Sequence, residues 1–294
     1  MTGKSPQEMS HKGVLAETRL FIGDADIECE TYTCDLGEVA VVSIADHEKT
    51  GPNEDSAALI PVNDQHLVLI VADGVGGISG ARRASNLTVK TIRKHIENID
   101  DTDRPCLRTA ILDGIEAANQ AVLNLGTGSA STLALAELGP GYVRTYHVGD
   151  SILLVCGQRG ALKLLTTPHS PVGFAMEAGL INESEALQHA ELNLIFNVIG
   201  ATDMRIEIGS ELPMAARDSL LLASDGLTDN IMQDKIIDTI RSGPVGKSLC
   251  SITDLALSRM SEEKSGQPSK PDDCTAILFR PKYSRKKNSA KPAE

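Results

Sequence analysis

Four short stretches of this chain share one construction: an apolar, β-prone run meets a carboxylate at its end. They are PNEDSAALI with Asp55, HLVLIVADGVGG with Asp73, SLLLASDG with Asp225 and PDDCTAILF with Asp273. A single Asp-Gly pair is ordinary turn chemistry. Four charges at the edges of buried runs are another matter, because each is costly unless paired or bound to a cation. A fold in which these strands lie side by side gathers the four carboxylates at one end of the sheets. Such a set of hard oxygen ligands selects Mg2+ or Mn2+ over softer metals. The carbonyl of Gly74 can join them, since a glycine lets backbone approach an ion closely.

The remaining pattern says how those strands are covered. EVAVVSIA (38–45), DSAALIPV (55–62) and HLVLIVA (66–72) read as strands, the last two joined hairpin-fashion by NDQ. Two amphipathic helices follow. The first, over about 79–98, has a face of Ala81, Ala84, Thr88, Ile92 and Ile96; the second, over about 105–125, has one of Leu107, Ile111, Gly114, Ala118, Ala121 and Leu125. STLALAEL, YVRTYHV, SILLVC and ALKLLT form an antiparallel meander. Residues 168–192 break that rhythm like an inserted subdomain, with Val172, Phe174, Met176 and Leu180 as apolar anchors. MRIEIG and DSLLLAS resume the strands, and amphipathic segments at about 230–242 and 245–260 precede the polar loop SEEKSGQPSKP and a last strand, CTAILFR. Strands grouped with strands and helices with helices predict two antiparallel sheets covered by helices.

Charge and cysteine content narrow the partners. With 28 basic and 40 acidic residues the net charge is −12, which argues against a nucleic-acid or anionic-membrane surface. The six cysteines form no CxxC pair, so neither a zinc site nor a disulfide framework is expected. No apolar run reaches the length of a membrane span and the N-terminus lacks a signal core, so a cytoplasmic location is expected.

NED, VADGVGG, STL, VGDS, ASDGLTD and DDCTAI, in this order and spacing, resemble the metal-dependent serine/threonine protein phosphatases (PPM, type 2C) in their bacterial form. The resemblance covers about 36–282; it leaves an N-terminal extension (1–35), and a basic tail (283–294) that is expected to be disordered. It implies an α+β fold, a four-layer α-β-β-α sandwich of two antiparallel sheets with a flap at about 168–192. It also implies hydrolysis of phosphoserine and phosphothreonine in proteins by a metal-activated water, opposing a partner serine/threonine kinase. Carried over by position, Asp55 binds one Mg2+ or Mn2+ ion, Asp73 bridges two with the Gly74 carbonyl assisting, and Asp225 and Asp273 complete the site. Asp150, Asp225 and Asp229 match the holders of a third, weaker ion.

One departure bears on activity. The family's phosphate-gripping arginine, three residues before the Asn of NED, is Thr50 here, which leaves Lys49 as a substitute without a guanidinium's fork. That departure keeps a second reading open, a catalytically weak or inactive pseudophosphatase acting as a binding or sensor module. Ser151 and Ser224 sit outside any G-x-S-x-G elbow and read as turn residues. Cys274 reads as a core thiol pointing away from the metals. His147 and His169 read as structural histidines, and GTGS (126–129) as a link into a strand.

Overall fold

The computed structural model describes residues 10–23, 26–46, 51–76, 80–99, 104–262 and 267–282. Lys49, Thr50 and the basic tail lie outside them. Two seven-stranded sheets form the centre. One has the order Ser10–Val14, Ile27–Thr33, Gly37–Ile44, Cys274–Pro281, Ser219–Ala223, Ile152–Cys156 and Leu162–Leu165. The other runs Glu207–Ile208, Tyr142–Val148, Leu133–Gly139, His66–Ala72, Ser56–Asn63 and Arg19–Phe21, with Leu212–Pro213 also on Tyr142–Val148. All neighbours in these sheets are antiparallel except Ser10–Val14, which pairs parallel with Ile27–Thr33.

Strand alternation sorts the side chains into layers. Leu59 and Leu69 point between the sheets together with Leu220, Leu222 and Ile277, while Ile60 and Ile70 face helices Ala81–Glu97 and Arg104–Leu123. On the opposite outer face, Val42, Leu221 and Leu278 pack against helices Gln233–Ile240 and Val245–Ser261. The result is helices, sheet, sheet, helices, the expected α-β-β-α sandwich.

Three details differ from the pattern-based reading. The segment expected to precede the domain contributes strands Ser10–Val14, Arg19–Phe21 and Ile27–Thr33, because its alternation buries Phe21, Cys29 and Tyr32. The second helix ends at Leu123 and buries Ile115 and Val122 in place of Ala121 and Leu125. The flap contains two short helices, Pro171–Glu177 and Glu183–Ala186, with Val172 buried but Phe174 44% and Leu180 77% exposed. A seven-residue helix has only two turns, too few to bury a full apolar stripe. Among the described residues no helix is long and apolar enough to cross a membrane.

Candidate metal centre

The four carboxylates sit where strands stop. Ser56–Asn63 starts one residue after Asp55, and His66–Ala72 ends one residue before Asp73; the register Ser56 to Ala72 places the two aspartates side by side. In the facing sheet, Ser219–Ala223 leads through Ser224 into the one-turn helix Asp225–Thr228, and Asp273 immediately precedes Cys274–Pro281. Asp55 and Asp273 are buried, while Asp73, Asp150, Asp225 and Asp229 are half-buried.

These groups act on one another electrically. Burial raises the Asp55 carboxyl well above the ordinary carboxylate range, and the charge of Asp273 adds to it against the hydrogen bond from Ser224. Asp73 is raised by burial and then by Asp55, Asp225 and Asp150. Asp150 is raised by burial and then by Asp225 and Asp229, and Asp229 is pushed up to about 7 by burial and then by Asp225. Asp55 Oδ1, Asp150 Oδ1 and Asp225 Oδ1 are out of water with no hydrogen-bond donor. A buried carboxylate oxygen without a donor is expensive. Three at one junction fit a divalent cation, whose charge would offset the mutual repulsion.

Neighbouring polar groups hold the acids in place. Ser224 Oγ, fully buried, donates to Asp55 Oδ2 at 2.7 Å and accepts from Thr275 N at 3.0 Å. The main chain of Asp73 is clasped by Thr132: Asp73 N donates to Thr132 Oγ1 at 2.9 Å, and Thr132 N donates to Asp73 O at 2.8 Å. Thr132 Oγ1 is in turn 2.6 Å from Ser151 Oγ. Asn53 Oδ1 accepts from Asp55 N at 2.9 Å, while Asn53 Nδ2 donates to Ser43 Oγ at 3.1 Å. Ser224 and Ser151, read from the sequence as turn residues, therefore position the centre. Asp273 also fastens the loop before Asp55, because its Oδ1 accepts from Asp46 N at 2.9 Å and its Oδ2 from Glu54 N at 2.8 Å.

The glycine after Asp73 has a packing reason beyond any role for its carbonyl. A Cβ at Gly74 would overlap the carbonyl of Ala81 and stand 2.8 Å from the Glu54 carbonyl oxygen. Cys274 is fully buried among the outer apolar residues, as alternation predicts.

One residue in contact with these acids is not legible in the sequence. Lys270 Nζ lies 2.6 Å from Asp225 Oδ2 and 2.8 Å from Asp229 Oδ2. Nothing in the polar loop around Lys270 distinguishes it from a solvated lysine.

A second cluster, His147, His169 and Glu207, has potential ligand atoms within 4.8 Å of one another. Its hydrogen bonds oppose a cation. His169 Nδ1 accepts from Gly149 N at 3.0 Å and Asn197 Nδ2 at 2.9 Å, so the ring proton resides on Nε2, 3.2 Å from Glu207 Oε2. Nε2 has no lone pair to offer while it carries that proton. Burial, followed by the neighbouring His169, pushes His147 down to about 3, and the rings pack at 4.5 Å as a structural pair.

The raised carboxyls give a signed pH prediction. Without a cation the folded chain holds protons at Asp55, Asp73 and Asp150 that the unfolded chain releases near 3.8. Their contribution to stability is fully present below that value and lost as pH rises through the folded values; for Asp229 the window is 3.8 to about 7. His147 acts with the opposite sign below its ordinary value of 6.5, but its effect is common to metal-free and metal-loaded protein. The Tm difference between Mn2+ and EDTA is thus expected to widen as pH rises from about 5 to about 7.5. A difference that stays constant or narrows in differential scanning fluorimetry would mean that the acids do not share a cation.

The sequence pattern of the family described as Protein phosphatase 2C matches residues 45–260. A protein phosphatase 2C-type relative from Streptococcus pyogenes serotype M6 is 31% identical over 181 residues, covering 60% of this chain and 73% of its own. The serine/threonine phosphatase stp of Listeria welshimeri is 26% identical over 200 residues, covering 65% and 78%. Among solved structures, the serine/threonine phosphatase of S. agalactiae superposes with a TM-score of 0.72 at 24% identity, over 83% of this chain and 99% of that one. The catalytic domain of the phosphatase PstP in complex with 2 manganese ions superposes with a TM-score of 0.65 at 23% identity, over 82% and 96%. At these identities the superpositions establish the fold.

Proposed function

The chain belongs to the protein phosphatase 2C family, and from that footing we propose that Asp55, Asp73, Asp225 and Asp273, with the Gly74 carbonyl, hold two Mg2+ or Mn2+ ions between the sheets. The protein is a metal-dependent serine/threonine phosphatase acting on phosphoproteins. The observation that best supports the ligand set is that two of its members, Asp55 and Asp225, each keep one buried carboxylate oxygen without a hydrogen-bond donor.

Each residue then has a task. Asp73, flanked by Asp55 and Asp225, would help to hold the ions, and Thr132 fixes its main chain. Ser224 fixes one oxygen of Asp55 and leaves the other for a cation. Asp273 accepts from the main-chain N–H groups of Asp46 and Glu54 and so sets where Asp55 stands. Bound there, a pair of divalent ions supplies Lewis acidity that makes water nucleophilic near neutral pH and offsets phosphoryl charge. No protein nucleophile is required. Lys49, next to Thr50, is the proposed cationic contact for the substrate phosphate.

The flap supports a protein substrate. Phe174 and Phe196 stack with ring centroids 5.1 Å apart and remain 44% and 53% exposed, with Leu180 and Leu194 exposed nearby in sequence. A cavity of about 350 Å3 is lined by Val172 and Met176 of the flap together with Asp150 and Asp229. We assign the exposed apolar residues to contact with the phosphoprotein, a signalling substrate of a partner serine/threonine kinase in the cytoplasm.

Phosphate release from a phosphothreonine peptide tests this function. Turnover with Mn2+ is expected to exceed turnover in EDTA by at least about 100-fold. Equal turnover in both buffers would contradict it.

A further inference from the structure

The polar loop before the last strand ends near Lys270, whose ammonium lies inside the acidic centre. It donates to Asp225 Oδ2 and Asp229 Oδ2, and Asp272 Oδ2 is 3.7 Å away. An exposed ion pair would carry little meaning, because long side chains wander and water screens them. This lysine is rooted. Lys270 N donates to Asn230 Oδ1 at 2.7 Å, and Asn230 Nδ2 donates to the Lys270 carbonyl at 2.8 Å and to the Gly226 carbonyl at 2.9 Å. Asn230 is fully buried, so one amide locks the lysine's main chain onto the turn that carries Asp225 and Asp229.

The oxygens divide accordingly. Lys270 takes Oδ2 of Asp225, whereas Oδ1 of Asp225 and Oδ1 of Asp150 have no donor. The shared aspartate thus offers one oxygen to the ammonium and keeps one for a divalent ion. A further divalent ion between Asp225 and Asp229 would have to break two charge-assisted hydrogen bonds and sit against a like charge.

We propose that Lys270 is the resident cation at the Asp225–Asp229 end of the centre, so that this chain works with two divalent ions and a tethered ammonium in place of a third. The inference rests on the reading of the centre as a divalent-ion site. A tethered ammonium does not dissociate when divalent ions are scarce, so that end of the centre keeps one positive charge at every metal concentration.

Equilibrium dialysis of the full chain against Mn2+, with the bound metal counted by atomic emission, tests it. Wild type and Lys270→Arg are expected to saturate at two ions per chain, Lys270→Met at three, and Lys270→Met/Asp229→Asn at two again. Saturation of wild type at three ions overturns the proposal without any variant, and so does Lys270→Met saturating at two. No bound ion in wild type would overturn the divalent reading itself, and this inference with it, which is a distinct result from a miscount at the third position.

Discussion

Asp73→Asn is expected to lower phosphate release by at least about 1,000-fold while the fold persists. Asparagine keeps the size of the side chain, and the clasp with Thr132 uses only the main chain of residue 73, so the backbone has no reason to move. What is lost is the carboxylate flanked by Asp55 and Asp225. Stability should change in the opposite sense. Asp73 carries a raised carboxyl in the metal-free protein, because burial and four neighbouring acids disfavour its charge. Removing that charge is expected to raise the Tm in EDTA at neutral pH by roughly 2–4 °C, the equivalent of about 1 kcal/mol. Activity within tenfold of wild type, or a variant that unfolds, would refute the assignment of Asp73 to the ions.

Gly226→Ala is expected to damage stability and activity together. A Cβ at this position would overlap the carbonyl oxygen of Asp273, and it would stand 2.9 Å from that carbonyl carbon and 3.2 Å from Cys274 Cα. All of these are backbone atoms, so no rotamer change can relieve the overlap. The last strand must shift, and Asp273 moves away from Asp225 as it does. A cost of about 2–3 kcal/mol, or roughly 5–10 °C in Tm, follows from overpacking of this kind, with a loss of at least about 100-fold in turnover. Gly157→Ala is the control, since its Cβ would find only ordinary contacts, 3.6 Å from Asp218 Oδ1 and Lys163 Cε. If Gly226→Ala behaves like Gly157→Ala, the close approach of the two turns that carry Asp225 and Asp273 is not what sets the site.

Much of this architecture is legible in the chain because strand alternation is a local signal. Leu59 and Ile60, neighbours in sequence, go to opposite faces of their sheet, and the string that contains them announces both. The strand-end aspartates are legible for the same reason, as charges where burial stops. What was not legible depends on distant partners. Lys270 looks like any lysine in a polar loop, and its place in the centre depends on Asn230, 40 residues earlier. Ser224 reads as a turn residue until Asp55, 169 positions away, takes its hydroxyl. Ser10–Val14 and Arg19–Phe21 are short edge strands with too few residues to show alternation, and the exposure of Phe174 and Leu180 is not legible because periodicity cannot say which apolar face remains uncovered.

Anomalous diffraction at the manganese edge, on crystals grown with Mn2+, is the most direct test of the centre. Two peaks are expected, one beside Asp55 and one beside Asp225, with Asp73 reaching both and Lys270 still on Asp229. Peaks at His147, His169 and Glu207, or no peak between the sheets, would contradict it.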